Sequence, residues 1–173
     1  MVPEQLAGGG TRGARLGPHG KRAARRAKGL EGALVDRGMP TIASLDPDDG
    51  RNVELWVAGP GALLVAKVQK IAERLGAQDR VRDNDALDVL RLLRAVDTAD
   101  LADRLTALAS TDLSAGATEE AIGLLPNLFG SVESEGVAMT VRAVGAAEDS
   151  ATIAASGIRS GKRGPTTTHP RGP

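Results

Sequence analysis

The sequence of 173 residues contains no cysteine and no tyrosine, and Trp56 and Phe129 are its only aromatic residues. The absence of cysteine excludes disulfide bonds and thiolate metal ligands. With so few aromatic side chains, a core must be built from Leu, Val, Ile and Ala. No apolar run approaches the roughly 18 residues of a membrane span, and no signal-peptide segment begins the chain. We therefore predict a cytoplasmic protein without membrane contact.

The net charge is zero, but the charges are distributed unevenly. Residues 1–30 carry seven Lys or Arg and one acid, residues 31–156 carry eleven Lys or Arg and twenty-one acids, and residues 157–173 are basic. The arm GKRAARRAK, residues 20–28, has the charge to contact the phosphates of an RNA. It has no aromatic residue for base stacking. The alternatives are a solvated arm or a short helix lying on the acidic body.

Composition and periodicity divide the chain into three segments. Residues 1–29 are a basic Gly/Arg-rich arm that we expect to be a loop or disordered, and residues 157–173 are expected to be a disordered tail. The domain between them, residues 30–156, is predicted to be α+β. It opens with a small mixed sheet of two or three strands within residues 30–58, in the pieces GALVD, TIASLD and NVELWVA. In the last piece, Val53, Leu55 and Val57 alternate as in a half-buried strand.

A helical bundle is predicted over residues 61–155. The first two helices lie between Gly59 and Leu93. Three more follow: one opened by the acidic turn 97–100, one behind the cap candidate Thr118 and kinked or shortened at Pro126, and one marked by Val137, Val141 and Val144.

The first two helices each carry a charged stripe beside an apolar one. Leu64, Val68, Ile71 and Leu75 mark the apolar face of the first helix. Lys67, Lys70 and Arg74 share another face of that helix, and Asp85 and Asp88 project together from the second. The two stripes are therefore candidates for one shared site. The alternative is ordinary solvated faces whose exposed ion pairs each contribute about 0.2–1 kcal/mol.

Other motifs that carry chemistry are scarce. His19 and His169 are far apart and have no carboxylate pair at ligand spacing, so we predict no metal site. The paired stripes remain the candidate site.

The segments VAGPGALLVAKVQKIAERL and RVRDNDALDVLRLL resemble the C-terminal half of the nucleotidyltransferase-like family that includes the AbiEii/AbiGii abortive-infection toxins. The resemblance extends over about residues 28–150. Lys67 matches the family's helix lysine, Arg74 matches an arginine near the end of that helix, and Asp85 with Asp88 matches a KDxxD element. Asn84 stands where the family usually has lysine, which removes one cation from the site.

The resemblance implies a Mg²⁺-dependent transfer of a nucleotide from a nucleoside triphosphate. Lys67, Lys70 and Arg74 would be the nucleotide-binding residues, and Asp85 and Asp88 the catalytic residues that orient the site. The family's metal-binding carboxylates occur in a GSxxxDxD element, which this sequence lacks. We therefore expect no cofactor held by this chain and no transfer by the chain alone.

The missing element suggests that Met1 is an internal methionine of a longer ancestral reading frame, and that the product is a truncated member of the family. A second hypothesis is a non-catalytic binding or regulatory module that pairs with an antitoxin or with a complementary catalytic half. A truncated sheet also favours self-association, because it leaves strand edges uncovered. A third hypothesis is nucleic-acid binding through the basic arm.

Overall fold

A computed structural model of the chain describes residues 1–7, 13–14, 18, 24–75 and 83–145. Within them, short strands come first: β1 Val2–Pro3, β2 Gly13–Ala14, β3 Ala24–Ala27, β4 Arg37–Gly38, β5 Thr41–Ala43, β6 Asn52–Glu54 and β7 Val57–Ala58. Helices follow: α1 Pro60–Leu75, α2 Asp83–Ala95, α3 Thr98–Ala109, α4 Ala115–Phe129 and α5 Glu135–Val144. This order confirms the predicted α+β class. Residues 146–173, including the predicted tail, lie outside the described part.

The strands form small separate ladders. Within residues 30–58, β4 pairs antiparallel with β7, and β5 pairs antiparallel with β6. The mixed sheet lies earlier in the chain, where β3 is parallel to β1 and antiparallel to β2. Paired strands therefore occur within residues 1–29, where composition predicts a loop. Pairing between segments distant in sequence is not visible in local composition.

The segment GALVD was predicted to be extended, and this prediction is wrong. It forms a 3₁₀ helix at Glu31–Leu34, after a turn in which Gly29 has a φ angle of 81°. A Cβ atom on Gly32 would lie 3.3 Å from the Leu108 side chain and 3.4 Å from Ala62. Close packing against α1 and α3 therefore determines this local structure, and tertiary context overrides the strand propensity of Leu and Val.

The alternating residues of NVELWVA do not lie on a covered strand face as predicted. Val53, Leu55 and Val57 are 51%, 42% and 38% exposed. Trp56 is also exposed, and the guanidinium carbon of Arg37 lies 4.4 Å from its ring centroid. The segment is also divided into two strands, β6 and β7, with Leu55 in neither, and no layer of the described structure packs over its apolar side chains.

The hydrophobic core lies among the helices, with α1 at its centre. Helix α1 packs against α2, α3 and α4, and α2 packs against α5. The α1 residues of the core are Leu64, Val65, Val68 and Ile71, which confirms the predicted apolar stripe except for Leu75, which is partly buried. From the other helices the core takes Val89, Leu90, Leu101, Leu108, Leu128, Phe129, Val137 and Met139. Aliphatic side chains thus supply most of the core, as the composition requires.

The later helices confirm the predicted bundle with one shifted boundary. Helix α3 begins after Asp97, whose carboxylate accepts hydrogen bonds from the backbone of Ala99 and Asp100. Helix α4 begins at Ala115, so Thr118 lies inside it, where the Thr118 hydroxyl donates to the Ser114 carbonyl at 2.8 Å. Pro126 also lies inside α4, which continues to Phe129.

The carboxylate of Asp36 determines where α1 begins. Its Oδ2 atom accepts from the Ala62 backbone N–H at 3.0 Å, and its Oδ1 atom accepts from Arg104 Nη1 at 2.7 Å. A carboxylate is favourable here because the first helical N–H groups have no partner within the helix and carry partial positive charge. A Cβ atom on Gly59 would lie 2.1 Å from Asp36 Oδ1. The glycine in VAGPG therefore leaves room for the carboxylate that caps α1.

Candidate functional site

The two predicted charged stripes meet between α1 and α2. Helical spacing puts Lys67, Lys70 and Arg74 on one face of α1. Asp85 lies in the first turn of α2, one turn before Asp88. Burial of the neighbouring apolar residues Val68, Ile71 and Val89 turns both charged faces toward each other. All five predicted site residues are therefore brought together, and we call this group the Asp85 cluster.

Asp85 is the centre of the cluster. Its Oδ1 atom accepts from Lys67 Nζ at 3.0 Å and from Lys70 Nζ at 2.8 Å, and its Oδ2 atom accepts from Arg74 Nη1. The Asp85 side chain is only 6% exposed. A buried carboxylate needs compensating hydrogen bonds, and both of its oxygen atoms receive them from cations. Asp85 thereby fixes three α1 side chains relative to α2.

Asp88 extends the cluster toward solvent. Its Oδ2 atom accepts from Lys67 Nζ at 2.7 Å, and its Oδ1 atom accepts from Arg91 Nη1 at 3.3 Å. Lys67 therefore bridges two carboxylates. Arg91 was not among the predicted site residues, although its position three residues after Asp88 on the same helix is a recognisable ion-pair spacing.

Burial and ion pairing act in opposite directions on the two most central groups. Burial raises the pKa of Asp85, but hydrogen bonds from Lys70 and Lys67 outweigh it, and the net pKa is lowered. Burial lowers the pKa of Lys67, but hydrogen bonds to Asp88 and Asp85 outweigh it, and the net pKa is raised. Both residues therefore remain charged at neutral pH.

The charge balance of the cluster favours anions. Four cations, Lys67, Lys70, Arg74 and Arg91, surround the two carboxylates. All four retain more than a fifth of their side-chain surface, since Arg74 is 21% exposed, Lys67 26%, Lys70 39% and Arg91 68%. A further anion can reach N–H groups that the carboxylates do not use. Lysine has three donors and arginine five.

The same arrangement is unsuited to holding a metal ion on Asp85 and Asp88. Their oxygen atoms accept from ammonium and guanidinium groups, which a divalent cation would have to displace. In the residues that the structure describes, no group of three or more His, Cys, Asp or Glu is placed to hold a metal. His19 and His169 lie outside those residues.

The described part of the basic arm contacts acidic residues. The Arg26 guanidinium lies 3.8 Å from the Glu4 carboxylate, and Lys28 forms an ion pair with Glu120 on α4. Within the arm, the described residues 24–27 form a strand, rather than the short helix we considered, and Lys28 connects the arm to α4. Residues 19–23, which carry Lys21 and Arg22, lie outside the described residues. Nucleic-acid binding by the arm stays a prediction.

No protein-family model matches the chain, and comparisons with curated proteins and with solved structures gave no significant match. The resemblance to nucleotidyltransferase-like proteins therefore rests on the residues quoted above. Among the described helices, none combines the length and the apolar character needed to cross a membrane.

Proposed function

We propose that the chain is a nucleotidyltransferase-like protein that binds polyphosphate at the Asp85 cluster and does not transfer nucleotides by itself. The observation that carries this proposal is the convergence of Lys67, Lys70 and Arg74 on one buried carboxylate. The resemblance gives Lys67 a contact with the triphosphate, and the geometry supports that role by surrounding it with further cations.

The physical argument concerns preorganisation. When a ligand orders a long, flexible side chain on binding, the lost rotamer freedom costs about 0.5–1.5 kcal/mol of binding free energy for each side chain. Their hydrogen bonds to Asp85 place them before a ligand arrives. Lysine suits a phosphate cluster as a compact point charge, and arginine adds a planar pair of donors. Asp85 and Asp88 position the cations in this proposal and do not contact the bound polyphosphate.

The proposed lack of transfer follows from the residues of this chain. It contains no GSxxxDxD element. The two carboxylates of the cluster are already held by cations, so neither is free to bind Mg²⁺ without losing ion pairs. The chain therefore has a phosphate site without the metal site that accompanies it in the family.

Calorimetric titration of the purified chain with inorganic triphosphate and with ATP, both without Mg²⁺, tests the binding site. We expect Lys70→Gln to weaken binding about tenfold, which is 1.4 kcal/mol. Lys28→Gln is a matched control, because Lys28 is similarly exposed and also pairs with a carboxylate, Glu120. It should leave the affinity unchanged. Absence of binding, or equal losses in the two variants, would refute the site.

A separate assay tests the lack of transfer. The chain is incubated with labelled nucleoside triphosphates, Mg²⁺ and cellular RNA, and the RNA is analysed for label. We expect no label above a protein-free control. Metal-dependent labelling that Lys67→Ala abolishes would show that this chain does transfer nucleotides, while leaving the binding site supported.

A further inference from the structure

Exposed apolar side chains are concentrated in one short stretch of the chain. Between residues 34 and 57, the exposed large hydrophobic residues are Leu34, Met39, Ile42, Leu45, Val53, Leu55, Trp56 and Val57. Single exposed apolar residues are normal, but a contiguous group marks an interaction surface. The centre of this stretch is the β5–β6 hairpin, whose two strands have three residues each. An isolated two-stranded hairpin of this size is marginally stable in water.

The hairpin has one apolar and one polar face. Ile42 is directly opposite Val53, so these two side chains share a face. On the other face, Thr41 is opposite Glu54, and the Thr41 hydroxyl lies 3.4 Å from the Glu54 carboxylate. Ile42 is 42% exposed and Val53 51% exposed. The apolar face is therefore uncovered within the described structure.

The backbone of β6 has an open hydrogen-bonding edge. The Ser44 N–H donates to the Arg51 carbonyl at 3.3 Å, which makes residues 44 and 51 a hydrogen-bonded pair. Because such pairs alternate along an antiparallel ladder, Val53 bonds toward β5, whereas Asn52 and Glu54 direct their backbone groups away from it. Among the described strands, β6 has no neighbour other than β5.

We propose that the occupant of this edge is a second copy of the chain, paired antiparallel through β6. The two-fold axis passes between the two Val53 residues. The outward N–H and C=O groups of Asn52 then form hydrogen bonds with those of Glu54 in the second copy, and Glu54 bonds in the same way with Asn52 of the second copy. Both strands thereby keep the alternation of hydrogen-bonded and non-hydrogen-bonded pairs. The result is a four-stranded sheet in the order β5, β6, β6, β5, and its apolar face gathers two Ile42 and two Val53 side chains.

The side chains of the hairpin are complementary in this register. Each Glu54 carboxylate is opposite an Asn52 amide, which has two N–H donors. No like charges are directly opposite, an arrangement that would be unfavourable. The antiparallel direction also places the acidic hairpin tips, with Asp46, Asp48 and Asp49, at opposite ends of the shared sheet. A parallel pairing would bring these tips together. This proposal is independent of the phosphate site, which lies on α1 and α2.

Cysteine cross-linking tests the register, because the chain has no cysteine of its own. In the proposed dimer the two Val53 residues form a non-hydrogen-bonded pair with Cα atoms about 4.5 Å apart, within the range of a disulfide. We expect Val53→Cys to form a disulfide-linked dimer under mild oxidation. Ile42→Cys is the matched control, at the centre of the other strand. The two β5 strands are separated by three strand spacings in the proposed sheet, so the Cα atoms of the two residues at position 42 would lie about 14 Å apart and should not cross-link.

Edge-blocking proline variants test the same edge without cysteine. The Asn52 N–H points away from β5, so Asn52→Pro removes a donor only from the proposed interface. Ala43→Pro is the control, because it removes an outward-pointing N–H from the other edge of the hairpin, on β5. In sedimentation equilibrium, the unmodified chain and Ala43→Pro should reach twice the 17.7 kDa chain mass, and Asn52→Pro should remain at that mass. Circular dichroism establishes that each variant is folded.

Three outcomes would overturn the proposal. The first is a monomer at every accessible concentration. The second is cross-linking of Ile42→Cys at least as efficient as that of Val53→Cys, which would place a partner on β5. The third is a dimer that Asn52→Pro leaves intact, which would locate the interface elsewhere.

Discussion

Lys67 on α1 donates a hydrogen bond from Nζ to Oδ1 of Asp85 on α2 at 3.0 Å, although the two residues are eighteen positions apart. The same nitrogen lies 2.7 Å from Oδ2 of Asp88. Lys67 therefore joins two helices as well as two carboxylates. In this molecule one group of charges positions α2 against α1 and creates the proposed phosphate site, so stability and binding are coupled through the same side chains.

The first prediction concerns the central carboxylate. Asp85→Asn leaves Lys67, Lys70 and Arg74 close together without their shared anion. Breaking a buried ion pair costs about 3–5 kcal/mol, and we expect about 3 because the cations are partly hydrated. Asp88→Asn is the control: Asp88 is 37% exposed, so about 1 kcal/mol or less is expected. Urea unfolding measures both, and equal losses would show that Asp85 is not the centre of the cluster.

The second prediction concerns acid. Because the pKa of Asp85 is lowered in the folded chain, its carboxylate stabilises the fold fully above the unfolded value of about 3.9, and this contribution is lost as the pH falls through the lower folded value. The difference in unfolding free energy between the original chain and Asp85→Asn should therefore shrink as the pH is lowered from 6 to about 3. Urea unfolding at several pH values measures this difference. A constant difference would contradict the assigned direction of the pKa shift.

The part of the site that could be predicted from the sequence is the set of residues that share one face of each helix. The spacing of Lys67, Lys70 and Arg74 on one helix, and of Asp85 and Asp88 on the next, follows from helical geometry alone. The apolar stripes beside them then orient both faces, so their meeting was predictable as well. The role of Asp36 was not, because its partner Arg104 lies 68 residues away. No local pattern identifies the partner of a carboxylate at that distance.

The strand region shows a different limit of the sequence. Alternation at Val53, Leu55 and Val57 is typical of one strand with one covered face, whereas the structure has two short strands here, β6 and β7, with Leu55 in neither. It does not say what covers that face. Within the described residues the three side chains remain 38–51% exposed, and the pattern therefore also suits a strand whose cover is another chain.

The third prediction concerns the start of α1. Gly59→Ala places a Cβ atom 2.1 Å from Asp36 Oδ1, so the carboxylate must move away from the Ala62 N–H. We expect a loss of about 2 kcal/mol in unfolding free energy, typical of overpacking. Gly38→Ala is the control, since nothing lies within 4 Å of its added carbon. In the double variant with Asp36→Ala the clash is absent, so the two losses should not add. Additive losses would contradict the proposed contact.

The fourth prediction concerns the glycines of the later helices, where the same substitution should have opposite effects. Gly123 is exposed inside α4 and has nothing within 4 Å of an added Cβ. Gly123→Ala should therefore raise the unfolding free energy by about 0.5–1 kcal/mol, because alanine loses less backbone entropy than glycine. Gly136→Ala in α5 would place its Cβ atom 2.5 Å from the Leu128 carbonyl oxygen and 2.8 Å from the Phe129 ring. It should lower the unfolding free energy in the same urea assay, because α4 and α5 must separate to admit the methyl group. Stabilisation by both substitutions would mean that α5 does not pack against α4 as closely as the structure shows.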